Sequence, residues 1–191
     1  MLGLLNPGSI AYISRADNDN RKLKYTLEII QQNKDLVGVN THRTNKIVEE
    51  ALQEKKIKKI NNYSKINKEV FFNKKTRFDF LLEGKKKIFI EVKNVTLMRE
   101  NLVAEFPDAI TSRGKKHIYD LIDAKKQGYE CYIIFLIQRE NVNFFKIAKD
   151  IDSDYYKSFL EGKKLGINYL SFSCSVSNKE IKLKKNIDII F

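Results

Sequence analysis

The pattern of apolar and polar positions divides the chain into a short N-terminal part and a longer part. Near the start, alternating apolar positions predict strands over 10–14 and 23–30, separated by a polar turn at 17–20. Two or three strands cannot enclose a core by themselves. We therefore expect these strands to pack against the rest of the chain.

After residue 40 the apolar period changes from two to about 3.6, which indicates a helix. Thr41 or Thr44 is expected to cap this helix, and the basic run at 55–59 is expected to end it. Its apolar stripe consists of Ile47, Val48, Ala51 and Leu52.

Strands and helices then alternate to the end of the chain. Strand patterns at 69–72, 77–82 and 87–94 predict a meander, and the continuous apolar run at 131–139 is typical of a central strand covered on both faces. The remaining predicted elements are a helix near 115–127 that stops at Gly128, a helix capped by Asp152 or Asp154 that closes at Gly166, and strands at 169–176 and 180–183. This order predicts a three-layer α/β domain.

Composition supports a globular chain and excludes several classes of protein. Hydrophobic residues make up 42% of the 191 residues, which is enough for a buried core. Two cysteines and two histidines cannot form the usual four-ligand zinc site. No apolar run reaches the roughly 18 to 20 residues that span a bilayer, and the start does not have the pattern of a signal peptide. We expect a soluble, cytoplasmic protein with no membrane partner.

The charge balance points to a polyanionic partner. Lys and Arg total 36 against 24 for Asp and Glu, a formal net charge of +12, which favours nucleic acid ahead of an acidic membrane surface. Twelve basic and three acidic residues lie between 55 and 87. The alternative is that these lysines are solvated charges at helix ends and hairpins.

Two neighbouring predicted strands carry the candidate catalytic residues. Side chains alternate along a strand, so Glu91 and Lys93 lie on one side, and Asp79 points away from its apolar neighbours Phe78, Phe80 and Leu82. If the two strands pair, Asp79 comes within several ångströms of Glu91. Two carboxylates can hold Mg²⁺, and a lysine beside the metal can position a water or stabilise charge on the phosphate, which are the groups that phosphodiester hydrolysis needs. The alternative is a solvated ion pair on an exposed strand.

Several strings of residues resemble the sugar fermentation stimulation protein A family. They are TRFDFLLEG at 76–84, IFIEVKNVTL at 88–97, AEFPDAITSRGKKHIYDL at 104–121, IIFLIQRENVNFFKIAKDID at 133–152, and, upstream, LLNPGS at 4–9 and VGVNTHRTNKIVEEAL at 37–52. The resemblance implies an OB-like β segment at 1–38 and a PD-(D/E)xK nuclease-like α/β domain at 39–191, with DNA as partner. Family members normally carry a few tens of residues before the point where this chain begins, so the resemblance also implies an N-terminally truncated OB-like barrel.

The same resemblance assigns roles to individual residues. Asp79 is the superfamily's acidic residue and Glu91 and Lys93 its ExK, with Mg²⁺ held by Asp79 and Glu91. Gln138 is a further catalytic candidate and Glu50 a weaker supporting one.

A set of basic side chains around this site is predicted to bind nucleic acid. Where the loop enters the second helix, helix-terminal N–H groups also favour a phosphate. His117 in this set has an alternative, pairing with Asp120 three positions on. The predicted set is Lys74, Lys75, Arg77, Arg113, Lys115, Lys116, His117 and Arg139.

Three functions remain open from the sequence. The first is a DNA-binding protein with a Mg²⁺-dependent nuclease-type site. The second is a DNA-binding regulator of sugar metabolism genes without catalytic activity. The third is a surface charge network with no role in chemistry.

Overall fold

The computed structural model describes residues 2–16 and 20–191, so most of the turn predicted at 17–20 lies outside the described residues. The helices are α1 (Thr41–Gln53), α2 (Ser112–Lys126) and α3 (Ser153–Lys164). The strands are β1 (Ile10–Arg15), β2 (Tyr25–Gln32), β3 (Asp35–Gly38), β4 (Tyr63–Asn73), β5 (Thr76–Gly84), β6 (Ile88–Val95), β7 (Leu97–Glu100), β8 (Val103–Phe106), β9 (Glu130–Ile137), β10 (Phe144–Ile147), β11 (Asn168–Val176), β12 (Ile181–Asn186) and β13 (Asp188–Ile189).

A six-stranded sheet forms the centre, in the order β12-β11-β9-β6-β5-β4. Strands β6, β9 and β11 run parallel, and the flanking strands pair antiparallel. The apolar stripe of α1 packs on one face of the sheet, while α2 and α3 cover the other. Strand β9 is buried between these layers, as its continuous apolar run predicts. The three-layer α/β architecture is confirmed.

Each helix begins at a side chain that caps its first turn. Asn40 accepts from the N–H of His42 at the start of α1, so the predicted caps Thr41 and Thr44 are wrong. Asp152, one of the two predicted candidates, caps α3. Helix α1 ends at Gln53, before the basic run that was expected to end it. Asn is preferred over Thr as an N-cap, so the residue types already favoured Asn40 over its two neighbours.

Two smaller sheets complete the fold. Strands β1, β2 and β3 form an antiparallel sheet, of which β3 was not predicted. Strands β13, β10, β8 and β7 form a sheet that was missed entirely. Its strands have two to four residues, too few to show an alternation, and β8 pairs with β10 across a long stretch of sequence.

The N-terminal sheet packs against the central sheet, as expected for a sheet of so few strands. The N–H of Gly38 donates to the carbonyl of Gln138 at 2.8 Å, and Arg139 donates to the amide oxygen of Gln32 at 3.0 Å. A Cβ on Gly38 would lie 2.5 Å from Oε1 of Gln138. Any larger residue here would therefore have to displace the buried side chain of Gln138.

None of the helices in the described part of the chain is long and apolar enough to cross a bilayer.

Candidate metal and nucleic-acid site

Strands β4 and β5 change faces at the level of Asp79. Phe80 and Leu82 pack on the α1 side, but Phe78 packs on the α2 side, so the prediction that all three share a face is wrong. On β4, the side chains likewise change from the α1 side to the α2 side between Ile66 and Val70. Between them Glu69 has a φ of 54°, in the left-handed region that non-glycine residues rarely adopt. An irregularity of this kind re-aims side chains, and such features are frequent beside functional sites.

Asp79 lies where β5 separates from β6. The last pair in the β5–β6 ladder on this side is Phe80 with Ile90. Beyond it, the carboxylate of Asp79 accepts from the backbone N–H of Val92 at 2.7 Å and from Nδ2 of Asn45 at 2.8 Å. The carboxylate of Asp79 thus accepts a hydrogen bond from β6 in place of a backbone carbonyl. This bond holds Asp79 beside Glu91.

The electrostatic environment of Asp79 links it to Glu91 and Lys93. Burial raises the pKa of Asp79 to about 6, with the charge of Glu91 as the next contribution, while its hydrogen bonds and the ammonium of Lys93 act in the opposite direction. Two carboxylates that disfavour each other's charge are characteristic of sites that bind a cation or a proton.

Glu91 is 4% exposed and is held by two cationic or polar neighbours. Its Oε1 lies 2.6 Å from Nζ of Lys93 and 2.5 Å from Nδ1 of His117. Burial by itself raises the pKa of Glu91, but Lys93 and His117 outweigh burial and hold the pKa below its usual range. The other oxygen, Oε2, is buried and has no hydrogen-bond partner within the described residues.

The structure therefore brings Asp79, Glu91 and Lys93 together. Glu91 and Lys93 share the α2 side of β6, and Asp79 bonds to the peptide between them. Among the described residues, no group of three or more His, Cys, Asp or Glu side chains is arranged to hold a metal ion. The acidic part of the site consists of two carboxylates.

Family models match almost the whole chain. A model described as the sugar fermentation stimulation protein RE domain matches residues 42–180, and one described as the SfsA N-terminal OB domain matches residues 1–39. The chain belongs to the sugar fermentation stimulation protein family. The second match shows that the family's N-terminal OB domain is represented here, alongside the predicted α/β domain.

Relatives and a solved structure agree with this membership. A sugar fermentation stimulation protein homolog of Pelagibacter ubique is 56% identical over 191 residues, which cover 100% of this chain and 82% of the relative. A homolog of Clostridium perfringens is 39% identical over 189 residues, 98% of this chain and 81% of the relative. The structure of Pyrococcus furiosus SfsA in complex with Ca²⁺ has a TM-score of 0.90 at 24% identity, covering 98% of this chain and 80% of that one. It shows the same fold.

His117 makes neither of its two predicted interactions, which were contact with a phosphate and pairing with Asp120. It is 5% exposed, so it does not present a surface for phosphate, and Asp120 instead bonds Thr76 and Lys116. His117 contacts Glu91, and its Nε2 accepts from Nε of Arg113 at 3.4 Å. A signal was present in the sequence, because residue 117 lies on the same helical stripe as the buried residues 114, 118, 121, 122 and 124 of α2.

Asn45 is the contact of the candidate site that sequence reasoning missed. Its amide holds Asp79 from α1, yet in sequence it is one of several polar residues on an amphipathic helix. Only the packing of α1 over β5 distinguishes it from its neighbours.

Gln138 and Glu50 are not joined to the carboxylate pair. Gln138 is fully buried, and its amide donates to Thr44 at 3.2 Å and to Asn94 at 2.5 Å, on the α1 face of the sheet. Glu50 is exposed and lines a cavity between α1, the β1–β2 hairpin and the turn at 177–181. Gln138 thus contributes to the junction between sheets, and its predicted catalytic role has no support from its contacts.

Most of the predicted nucleic-acid contacts are accessible, with two exceptions. His117 is buried, as described above, and Arg139 is 1% exposed at the junction with β2. Neither can reach a phosphate. Lys115 is half-buried and pairs with Asp154 at 2.9 Å. The exposed members of the set are Lys74, Lys75, Arg77, Arg113 and Lys116.

Proposed function

We propose that this protein binds DNA and cleaves it at a Mg²⁺-dependent phosphodiesterase site formed by Asp79, Glu91 and Lys93. The observation that carries the proposal is Oε2 of Glu91, a buried carboxylate oxygen without a hydrogen-bond partner in the described part of the chain. Buried polar atoms are nearly always partnered. An oxygen of this kind, next to a second carboxylate, is a suitable ligand for a hard divalent cation.

The donor set fits Mg²⁺ in number and type. Mg²⁺ commonly binds through one or two carboxylates and keeps several waters or takes substrate phosphate oxygens, so a cluster of three acidic side chains is not required. Asp79 and Glu91 would hold the ion. The relative from Pyrococcus furiosus was solved in complex with Ca²⁺, another cation that prefers oxygen ligands. When bound, such an ion polarises a phosphoryl oxygen and lowers the pKa of a bound water.

The protein's own residues position and balance this site. Asn45 and the Val92 amide fix the orientation of Asp79, and His117 fixes that of Glu91. Lys93 places a positive charge 2.6 Å from Glu91, where it can stabilise charge that develops on a phosphate. A cation at the site would also offset the repulsion between the two carboxylates.

A basic surface supports DNA as the substrate. Lys74, Lys75 and Arg77 are exposed along the tip of the β4–β5 hairpin, and Arg113 and Lys116 are exposed on α2. Both elements also carry residues of the site, because Asp79 follows Arg77 on β5 and His117 follows Lys116 on α2. Phosphate contacts from such side chains position DNA without reading its sequence.

The test is a cleavage assay on plasmid and single-stranded DNA with Mg²⁺, Mn²⁺ or EDTA. We expect cutting by the wild type only with metal, and loss of cutting in Asp79→Asn, which keeps the side-chain volume but removes the charge that binds the ion. Asp123→Asn, on the exposed face of α2, is the matched control and should cut normally. Equal DNA binding by all three proteins with no cutting would overturn the enzyme and favour the non-catalytic regulator.

His117→Ala is expected to weaken metal binding by roughly 10- to 100-fold, the usual effect of removing a side chain that orients a ligand. Without its 2.5 Å contact to His117, Glu91 loses the contact that fixes its orientation from α2. Isothermal titration with Mg²⁺ and Ca²⁺ measures the affinity directly. His42→Ala replaces the only other histidine, which is exposed, and should bind metal normally. Unchanged affinity in His117→Ala would show that the contact is structural only.

A further inference from the structure

One exposed aromatic side chain on the basic hairpin has no role in the site as described. Phe71, on β4, is 67% exposed. Its neighbours Val70 and Phe72 pack against the core on the α2 side, so Phe71 projects from the opposite side of the hairpin. The exposure alone is not unusual, so the neighbours of this ring decide what it can bind.

One cation lies beside this ring, and two more are exposed on the same hairpin. Arg77 is the partner of Phe71 in the β4–β5 register, and its guanidinium carbon lies 5.7 Å from the ring centroid. Lys74 and Lys75 are exposed at the tip of the same hairpin. Arg77 also pairs with Glu69 at 2.8 Å, but both side chains are about half exposed, and a pair of that kind is weak enough for a phosphate to replace it.

The hairpin that carries Phe71 is held rigidly. Asn73 accepts from the backbone N–H groups of Lys75 and Thr76, both at 2.8 Å. Thr76 donates to Asp120 of α2 at 2.6 Å, and the ring of Phe72 lies 5.7 Å from that of Phe78. A surface ordered before its ligand arrives loses little entropy on binding.

We propose that Phe71 and Arg77 form a stacking platform for an unpaired base of single-stranded DNA. The inference rests on the proposed function and narrows its substrate class. A ring that projects from a strand can stack only on a base whose face is free, which a duplex does not offer. Arg77 supplies a cation for the adjacent phosphate.

The platform lies near Asp79 along β5 but on the other face of the sheet from Glu91 and Lys93, because Phe71 projects on the α1 side and those two residues on the α2 side. Asp79 lies two residues after Arg77, about 7 Å along β5 at the usual rise of a strand.

A second copy of the chain is a less suitable occupant. The edge of β4 carries Lys65 and Lys68, and Lys74 follows at the tip, so two copies pairing along this edge would bring like charges together. Lysines at sheet edges are a common means of preventing that association.

Binding measurements in EDTA test the platform separately from cleavage. For Phe71→Ala, fluorescence anisotropy is expected to show about a 10-fold weaker affinity for a labelled oligothymidylate, from the usual contribution of one stacked base. Affinity for a duplex of the same length should change by less than about twofold, because duplex contacts come from phosphates alone. Phe144→Ala, at a 43% exposed phenylalanine of β10, is the matched control and should bind both DNAs as the wild type does.

A fluorescent reporter adds a second readout, since the chain contains no tryptophan. The fluorescence of Phe71→Trp should be quenched by the single strand and not by the duplex, and that of Phe144→Trp by neither. Unchanged single-strand affinity in Phe71→Ala, or equal quenching by the duplex, would overturn the platform even if the protein cleaves DNA. A wild-type dimer in sedimentation that Phe71→Ala converts to a monomer would instead identify a protein interface. Single-strand binding that depends on Phe71 without any cleavage would retain the platform and reject the nuclease.

Discussion

Lys93→Met is expected to lower the rate of metal-dependent DNA cleavage by roughly 100- to 1,000-fold, the usual cost of removing one group that stabilises developing charge. Methionine keeps an unbranched side chain that suits a site only 13% exposed, but it removes the ammonium 2.6 Å from Glu91. Burial already favours the neutral form of Glu91, and Lys93 is the strongest influence against it. The variant should therefore also raise the pKa of Glu91.

Single-turnover cleavage with Mg²⁺ measures this effect, and far-ultraviolet circular dichroism checks that the fold is retained. Lys87→Met is the matched control, because Lys87 is exposed immediately before β6 and its loss should leave the rate within about twofold. Equal rates for Lys93→Met and the wild type would remove Lys93 from the chemistry. The two carboxylates would then have to act without it.

The second large effect concerns stability. Phe135→Ala is expected to lower the free energy of unfolding by about 3 to 5 kcal/mol, the range for truncating a buried phenylalanine. Phe135 is fully buried on β9, and its ring centroid lies 4.5 Å from that of Phe145 and 5.6 Å from that of Phe106. Removing the ring leaves a cavity between the central sheet and the small sheet of β13, β10, β8 and β7.

Guanidinium denaturation measures the change in the free energy of unfolding from the shift of the transition midpoint, provided that the dependence of that free energy on denaturant concentration is the same in both proteins. Phe144→Ala provides the control, because this phenylalanine is 43% exposed one residue from Phe145 and its truncation should cost less than about 1 kcal/mol. A loss below about 1 kcal/mol in Phe135→Ala would mean that the small sheet does not depend on this contact.

The elements that sequence predicted well are those whose signal is local. The stripe of α1, the apolar run of β9 and the cap at Asp152 each arise from residues within one or two turns or one strand. The short strands of the small sheet gave no such signal, because strands of four residues or fewer are defined by their partners. Strand β8 exists because β10 lies beside it.

The candidate site shows the same division. Alternation along β6 was enough to place Glu91 beside Lys93, and the order of strands was enough to bring Asp79 near them. The change of faces at Glu69 and Asp79 was not predictable, since alternation assumes a regular strand. It moved Phe78 to the α2 side and turned Asp79 toward the Val92 amide.

By itself, the sequence determined the α/β class, the central strand and the three residues of the candidate site, because side-chain period and strand order are properties of neighbouring residues. Only the tertiary structure decided that Asn45 and His117 hold the two carboxylates, that Arg139 is buried, and that Phe71 is exposed beside Arg77. The first three placements depend on which elements pack together across long stretches of sequence, whereas that of Phe71 follows from the irregularity at Glu69 within one hairpin. Contacts of that kind come from the packing of the whole chain and leave little local pattern to detect.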